Sequence, residues 1–281
     1  MKIIESPREG MQGFSRIIPT AEKVRYINHL LRVGFDTVEI GSIVSKRLIP
    51  QMADSLEVLR DLDLAGTKTN RMFLAVNKKG AEILSDINEV THISYPFSFS
   101  PTFLKMNMNS TVEESLETAT TVINLCEKRG KKPVIYISMA FGNPYNDPWD
   151  PDLLLHWIKI LQAAGATTIP LSNVSMEIDS EMIGTIYSAL IPIFPGIEFG
   201  LHLHTSNVDW EEKVNAASEA GCRRFDGVIN GWGGCPMAGK ELLGNLATEN
   251  LLEFVDKKKI PLPIDKKELA DGYRIAGEIF V

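Results

Sequence analysis

Cysteine is scarce in this sequence. Cys126, Cys222 and Cys235 are the only three in 281 residues, widely spaced and odd in number. That excludes a disulfide framework, and without a paired CxxC it excludes a zinc motif built on thiolates. Long apolar runs are also missing, and none approaches the roughly 20 residues that a membrane-spanning helix needs. The opening stretch MKIIESPREG carries charges at positions 2, 5, 8 and 9, which is not the pattern of a secretory signal. Basic blocks are few. The longest is DKKKI at 256–260, read as a solvated helix end, and the net charge of −7 from 36 acidic and 29 basic residues argues against a nucleic-acid partner. No glycine-rich dinucleotide fingerprint follows the first strand, and no P-loop or Ser-His-Asp arrangement is visible. What remains is a cytoplasmic, reduced globular protein with neither a nucleic-acid nor a membrane partner.

What is present is a rhythm. Short β-branched or apolar runs occur at 2–6, 37–42, 72–77, 92–97, 133–139, 167–173, 198–204 and 224–229, with longer amphipathic segments between them. In TAEKVRYINHLLRVG (20–34), Val24, Ile27, Leu30 and Leu31 repeat at helical spacing and Gly34 supplies the stop. The segment 110–130 begins with Ser110 or Thr111 as N-cap, has a glutamate three residues on, and ends at Gly130. Eight such βα units without a linker predict one (β/α)8 TIM barrel over residues 1–281, with a short C-terminal helical extension. Chemistry in such a barrel belongs at the C-terminal strand ends and the loops that follow them.

The charged and polar residues gather at those positions. In EFGLHLHT (198–205), strand alternation puts His202 and His204 on one face at the end of strand seven. Taken alone, the pair reads equally as a metal chelate or as two hydrogen-bonded core histidines; placement at the barrel mouth favours the chelate. In ESPREG (5–10), Glu9 offers a metal-binding carboxylate and Arg8 a charge for an oxyanion, although an arbitrary Arg-Glu pair is more often a surface ion pair. Glu39, inside an apolar strand, needs a partner, and Arg8 is available. NGWGGCPMAG (230–239) presents Cys235 on a glycine-rich loop, a thiol suited to a lid, while Asn245 in GNLATEN offers a neutral oxygen ligand or simply a turn.

With these residues in place, the chain resembles the hydroxymethylglutaryl-CoA lyases, one group of metal-dependent aldolase barrels. The likeness runs from ESPREGMQG to GNLATEN, through IVSKRLIPQMAD, ISMAFGNPY, HLH and GGCP in the family's order. The resemblance implies a divalent metal held by Glu9, His202, His204 and Asn245. It also implies Arg8 at the enolate oxygen, Glu39 orienting Arg8, His202 relaying a proton and Cys235 acting from the lid. A ligand set of carboxylate, amide and imidazole suits Mg²⁺ or Mn²⁺ and would also take Zn²⁺. The substrate implied is an acyl-CoA, cleaved to acetyl-CoA and a keto acid, and a homodimer is in keeping with the family. Two positions depart from the family pattern, which has aspartate at both. Glu9 is one methylene longer. Asn173, ending PLSN, replaces a carboxylate associated with proton transfer, so Asn173→Asp is expected to raise turnover. A related condensing synthase and a non-catalytic barrel that binds metal or acyl-CoA are the other readings; GGCP favours the lyase, and Asn173 is the best support for the non-catalytic barrel.

Overall fold

The computed structural model describes residues 1–174, 178–206, 208–233 and 243–280. Eight parallel strands close into a barrel in sequence order, with β8 pairing back onto β1. The strands are β1 (Lys2–Glu5), β2 (Thr37–Ile43), β3 (Asn70–Ala75), β4 (His92–Phe97), β5 (Lys132–Ser138), β6 (Thr168–Ser172), β7 (Glu198–His202) and β8 (Arg224–Gly227). Around them lie α1 (Pro7–Gln12), α2 (Thr20–Val33), α3 (Ser55–Arg60), α4 (Lys78–Ser85), α5 (Pro101–Met108), α6 (Val112–Arg129), α7 (Pro151–Ala163), α8 (Ser180–Ile193) and α9 (Trp210–Glu219). The helices α10 (Thr248–Lys257) and α11 (Lys266–Ile279) follow β8. The alternation read from the sequence is therefore the TIM barrel expected, with its C-terminal helix, and strand ends differ by no more than a few residues. No helix among the described residues is long and apolar enough to cross a membrane.

Local chemistry explains the element ends. Thr111 accepts from the Glu114 amide and Glu114 reaches back to the Thr111 amide, a reciprocal cap that starts α6. Gly130 and Gly34 close α6 and α2 in the left-handed region, where a side chain would be strained. At the start of α2, Pro19 occupies the cap position, and the Thr20 hydroxyl donates to Asp54, 2.8 Å away.

The barrel interior is apolar only in part. Ile4, Met72, Val134 and Tyr136 form an inner cluster, while Glu39, Arg224 and Asp226 are buried on the strands beside it. Gly200 makes room for this: a Cβ there would lie 2.9 Å from Cδ of Arg224. On the other face of β1, Glu5 is fully buried beneath α10. Its carboxyl accepts from the Ile229 amide at 3.0 Å and pairs with the Thr248 hydroxyl at 2.5 Å.

Burial pushes the Glu5 carboxyl up from 4.5 to about 8, against the two hydrogen bonds and with help from nearby Glu249. The folded protein therefore keeps this proton at pH values where the unfolded chain has released it. The stabilisation is fully present below pH 4.5 and is lost as pH rises to about 8. Glutamine reproduces the protonated carboxyl, accepting from Ile229 and donating to Thr248. Urea unfolding between pH 5 and 8 is expected to show the wild-type midpoint falling more steeply with pH than that of Glu5→Gln. Parallel curves for the two proteins would place the ionised form of Glu5 in the folded state.

Candidate active site at the barrel mouth

Proline at the first turn of α1 suits a helix start, where the missing N–H has no helical partner to lose. This short helix, directly after β1, brings Arg8, Glu9 and Gln12 to a cavity of about 1000 Å³ measured to its open mouth. Arg8 donates from Nε (3.0 Å) and Nη2 (2.7 Å) to Oε2 of Glu39, from Nη2 to Oε1 of Glu9 (2.9 Å), and from Nη1 to Oε1 of Gln12 (2.8 Å). A guanidinium has five N–H donors, so these bonds leave one on Nη1 for a ligand in the cavity. Burial opposes the Arg8 charge, but Glu39 and Glu9 outweigh it and leave the group more basic than usual. Burial raises Glu39 despite the pull of Arg8. In Glu9 the same desolvation is overcome by His202 and Arg8, which hold the carboxyl well below its usual range.

The two histidines stand at the end of β7 with ring centroids 5.1 Å apart. His202 lies between two carboxylates. Its Nε2 is 3.1 Å from Oε2 of Glu9, and its Nδ1 is 3.1 Å from Oδ2 of Asp226, which also accepts from the Tyr136 hydroxyl at 2.6 Å. Desolvation alone would depress His202, yet Glu9 and Asp226 raise it to about 10. His204 goes the other way. Burial, then the neighbouring His202 charge, pushes it down to about 4, so its ring is neutral and carries a lone pair.

Whether these residues fit a cation is answered by their unsatisfied atoms. Oε2 of Glu9, Nδ1 of His204 and Oδ1 of Asn245 are all buried without a hydrogen-bond partner. Ligand atoms of Glu9, His202 and His204 lie within 4.8 Å of one another. Asn245 faces His204 across a main-chain bridge and donates from Nδ2 to the Trp232 carbonyl, 2.8 Å away, so its oxygen is the atom left over. His202 pairs with the Glu9 oxygen by charge but outside hydrogen-bond geometry, so these close-set lone pairs are costly unless a cation satisfies them, and the set fits a divalent ion.

Asn173 has a different task from the one its position suggested. It is buried, its Oδ1 accepts from the His204 amide at 2.9 Å, and its Nδ2 donates to the His204 carbonyl at 2.7 Å. The side chain thus pairs with the main chain of a candidate ligand, as a neighbouring strand would. An aspartate would lose the donor and set a charged oxygen against a carbonyl. The expectation that Asn173→Asp raises turnover therefore loses its physical basis.

Cys235 lies outside the described residues. Of the glycines before it, Gly231 and Gly233 adopt positive φ (62° and 83°), and a Cβ on Gly233 would meet the Glu9 carbonyl oxygen at 2.4 Å. Gly233 is thus required for close packing of the loop on α1, as well as for its turn. Cys126 and Cys222 are buried, and burial pushes each thiol up to about 12. The sequence reading passed over Asp226, Tyr136 and Gln12. For Asp226 a signal existed: a charge in the short apolar run RFDGVI poses the same question as Glu39.

The family model described as HMGL-like matches residues 1–275. That match spans the whole closed barrel. The chain belongs to the HMGL-like family and is an acyl-CoA lyase. The 3-hydroxy-3-isohexenylglutaryl-CoA/hydroxy-methylglutaryl-CoA lyase of Pseudomonas aeruginosa is 29% identical over 281 residues, 99% of this chain and 92% of that protein. The human cytoplasmic 3-hydroxy-3-methylglutaryl-CoA lyase is 31% identical over 259 residues, 91% of this chain and 69% of its own. The solved HMG-CoA lyase of Acinetobacter baumannii, in complex with coenzyme A and 3-methylmalate, superposes with a TM-score of 0.90 at 26% identity, covering 100% of this chain and 91% of that one.

The Asn173 geometry has a direct consequence for metal binding. Replacing a group that orients a ligand commonly costs about 10–100-fold in metal affinity. Asn173→Asp is expected to bind Mn²⁺ at least about tenfold more weakly in calorimetric titration while still unfolding cooperatively. Unchanged or tighter binding would show that the pairing with His204 does not position the ligand.

Proposed function

We propose that the enzyme cleaves 3-hydroxy-3-methylglutaryl-CoA or a closely similar 3-hydroxyacyl-CoA to acetyl-CoA and a keto acid, assisted by a divalent cation. Glu9, His202, His204 and Asn245 would hold the cation; Mg²⁺ or Mn²⁺ suits this donor set, and Zn²⁺ would also bind it. The observation that carries the reading is the group of buried, unpartnered donor atoms beside Arg8 at the barrel mouth. When bound, the cation makes the substrate hydroxyl more acidic and offsets the negative charge it gains.

The reaction itself is simple to balance. The tertiary hydroxyl loses its proton, the C2–C3 bond breaks, and its electron pair moves onto the thioester oxygen as an enolate. The enolate carbon then takes a proton to give acetyl-CoA. Arg8 supplies the positive charge for the enolate oxygen, through the N–H that its other bonds leave available. Glu39 holds the guanidinium in place with two hydrogen bonds to one oxygen. Asp226 receives the Nδ1–H of His202, which turns Nε2 toward Glu9 and the cavity. In this scheme Cys235 donates the final proton, and His202 accepts the hydroxyl's proton at Nε2, a role it can fill only while that nitrogen is not bound to the cation.

Acetyl-CoA release from 3-hydroxy-3-methylglutaryl-CoA with Mg²⁺ or Mn²⁺ tests the reading. Turnover is expected to disappear with chelation and return with added metal. His204→Ala is expected to lose bound metal and at least about 10²-fold in rate. Equal turnover by the chelated protein would remove the cation from the mechanism, and unchanged metal content in His204→Ala would remove His204 from the ligand set.

A further inference from the structure

Asn245 can serve a cation only with its amide turned one way. Its Nδ2 donates to the Trp232 carbonyl at 2.8 Å, and that bond leaves Oδ1 as the bare atom. A flipped amide would aim N–H groups at the cation instead. The Trp232 carbonyl therefore decides whether Asn245 can be a ligand. The local backbone does little to fix that carbonyl, because Gly231 and Gly233 flank it and glycine adopts positive and negative φ about equally well. Its restraint has to come from elsewhere in the fold.

That restraint is a pair of rings. Trp232 stacks on Phe280, just beyond α11, with centroids 5.6 Å apart and planes at 17°. Phe280 is buried and is met edge-on by Phe14, which follows α1, at 5.5 Å and by Tyr26 of α2 at 6.1 Å. Arg16 donates to the Ile279 carbonyl at 2.6 Å and fastens the chain beside it. Phe280 also packs on the helix that carries Glu9. A Cβ on Gly10 would lie 3.6 Å from Cζ of Phe280 and 3.7 Å from Cβ of Trp232. One ring thus braces two segments, α1 with Glu9 and the turn whose carbonyl orients Asn245.

We propose that Phe280 is a positioning residue for the cation site, acting through Trp232 on Asn245 and through Gly10 on Glu9. It does not line the cavity itself. The proposal rests on the cation site of the reading above and is independent of which thioester is cleaved.

Calorimetric titration of Mn²⁺ into the whole protein tests this without any turnover. Loss of a group that orients a ligand commonly costs about 10–100-fold in metal affinity. Phe280→Ala is expected to weaken Mn²⁺ binding at least about tenfold. Trp232 is 38% exposed, so Trp232→Ala removes the other ring without opening a closed cavity. It is expected to lose at least about tenfold as well, and Trp232→Phe, which keeps a ring, to recover most of that loss. Because both truncations break one stack, the double variant is expected to lose less than the product of the single losses. Leu161→Ala, a buried truncation in α7 between β5 and β6, is the control: it destabilises the barrel and is expected to leave Mn²⁺ affinity unchanged. Wild-type affinity in Trp232→Ala overturns the proposal, even where Phe280→Ala does not fold. So do an equal loss in Leu161→Ala, which would make the effect one of general stability, and losses that multiply fully in the double variant. A wild-type protein that binds no Mn²⁺ would instead remove the cation site, and with it both this proposal and the reading beneath it.

Discussion

The site depends on how charge is buried around Arg8. One guanidinium ties together α1, which carries it, and β2, which carries Glu39. The second oxygen of Glu39 accepts from the Ser94 hydroxyl of β4 at 3.3 Å, extending the tie to a further strand. Buried ion pairs of this kind add little net stability, yet removing one partner strands the other and costs about 3–5 kcal/mol. The arrangement is therefore better understood as fixing geometry. It sets α1 in one orientation, and α1 delivers Glu9. The two Glu9 oxygens then divide their work, Oε1 taking a hydrogen bond from Arg8 while Oε2 faces His202 Nε2 at 3.1 Å.

Beneath the mouth, the interior continues the same logic. Asp226 holds His202 and receives the Tyr136 hydroxyl, while Arg224 lies 3.9 Å away on the same strand. A barrel filled entirely by branched aliphatic side chains would have no means of fixing an imidazole at its centre. The absence of a side chain at Gly200 gives Arg224 its room, so a residue with no chemistry of its own determines where the charged pair can sit.

Much of this was legible from the residues. The fold followed from alternation, caps and spacing, because short buried strands and amphipathic helices are local properties. The histidine pair was legible because two-residue periodicity puts His202 and His204 on one face, and Glu39 because a lone acid in an apolar strand demands a cation. Asn173 was not. Its partner is the main chain of His204, and a contact between a side chain and a distant backbone leaves no mark in either segment. The reading of the glycine-rich loop as a lid left out a second need at Gly233, which is space for the Glu9 carbonyl. Tyr136 was hidden for a simpler reason: an aromatic in a strand is ordinary until its hydroxyl is seen to end on a carboxylate.

Glu9 and Asn173, the two positions where the resemblance expects aspartate, fit one physical account. Glu9 keeps one oxygen on Arg8 and turns the other toward His202. Asn173 is a main-chain clamp, and it needs both a donor and an acceptor. His204 is held on one side by that amide and on the other by its bridge to Asn245. Two of the candidate ligands are thus located by backbone pairing, and a third by the ion pair that anchors α1. A site assembled from main-chain registry tolerates a longer carboxylate more readily than the loss of a hydrogen-bond donor, since a side chain can bend within its cavity but a paired backbone cannot shift without moving the strand end. On that ground Asn173, rather than Glu9, is the change that the rest of the site is least able to absorb.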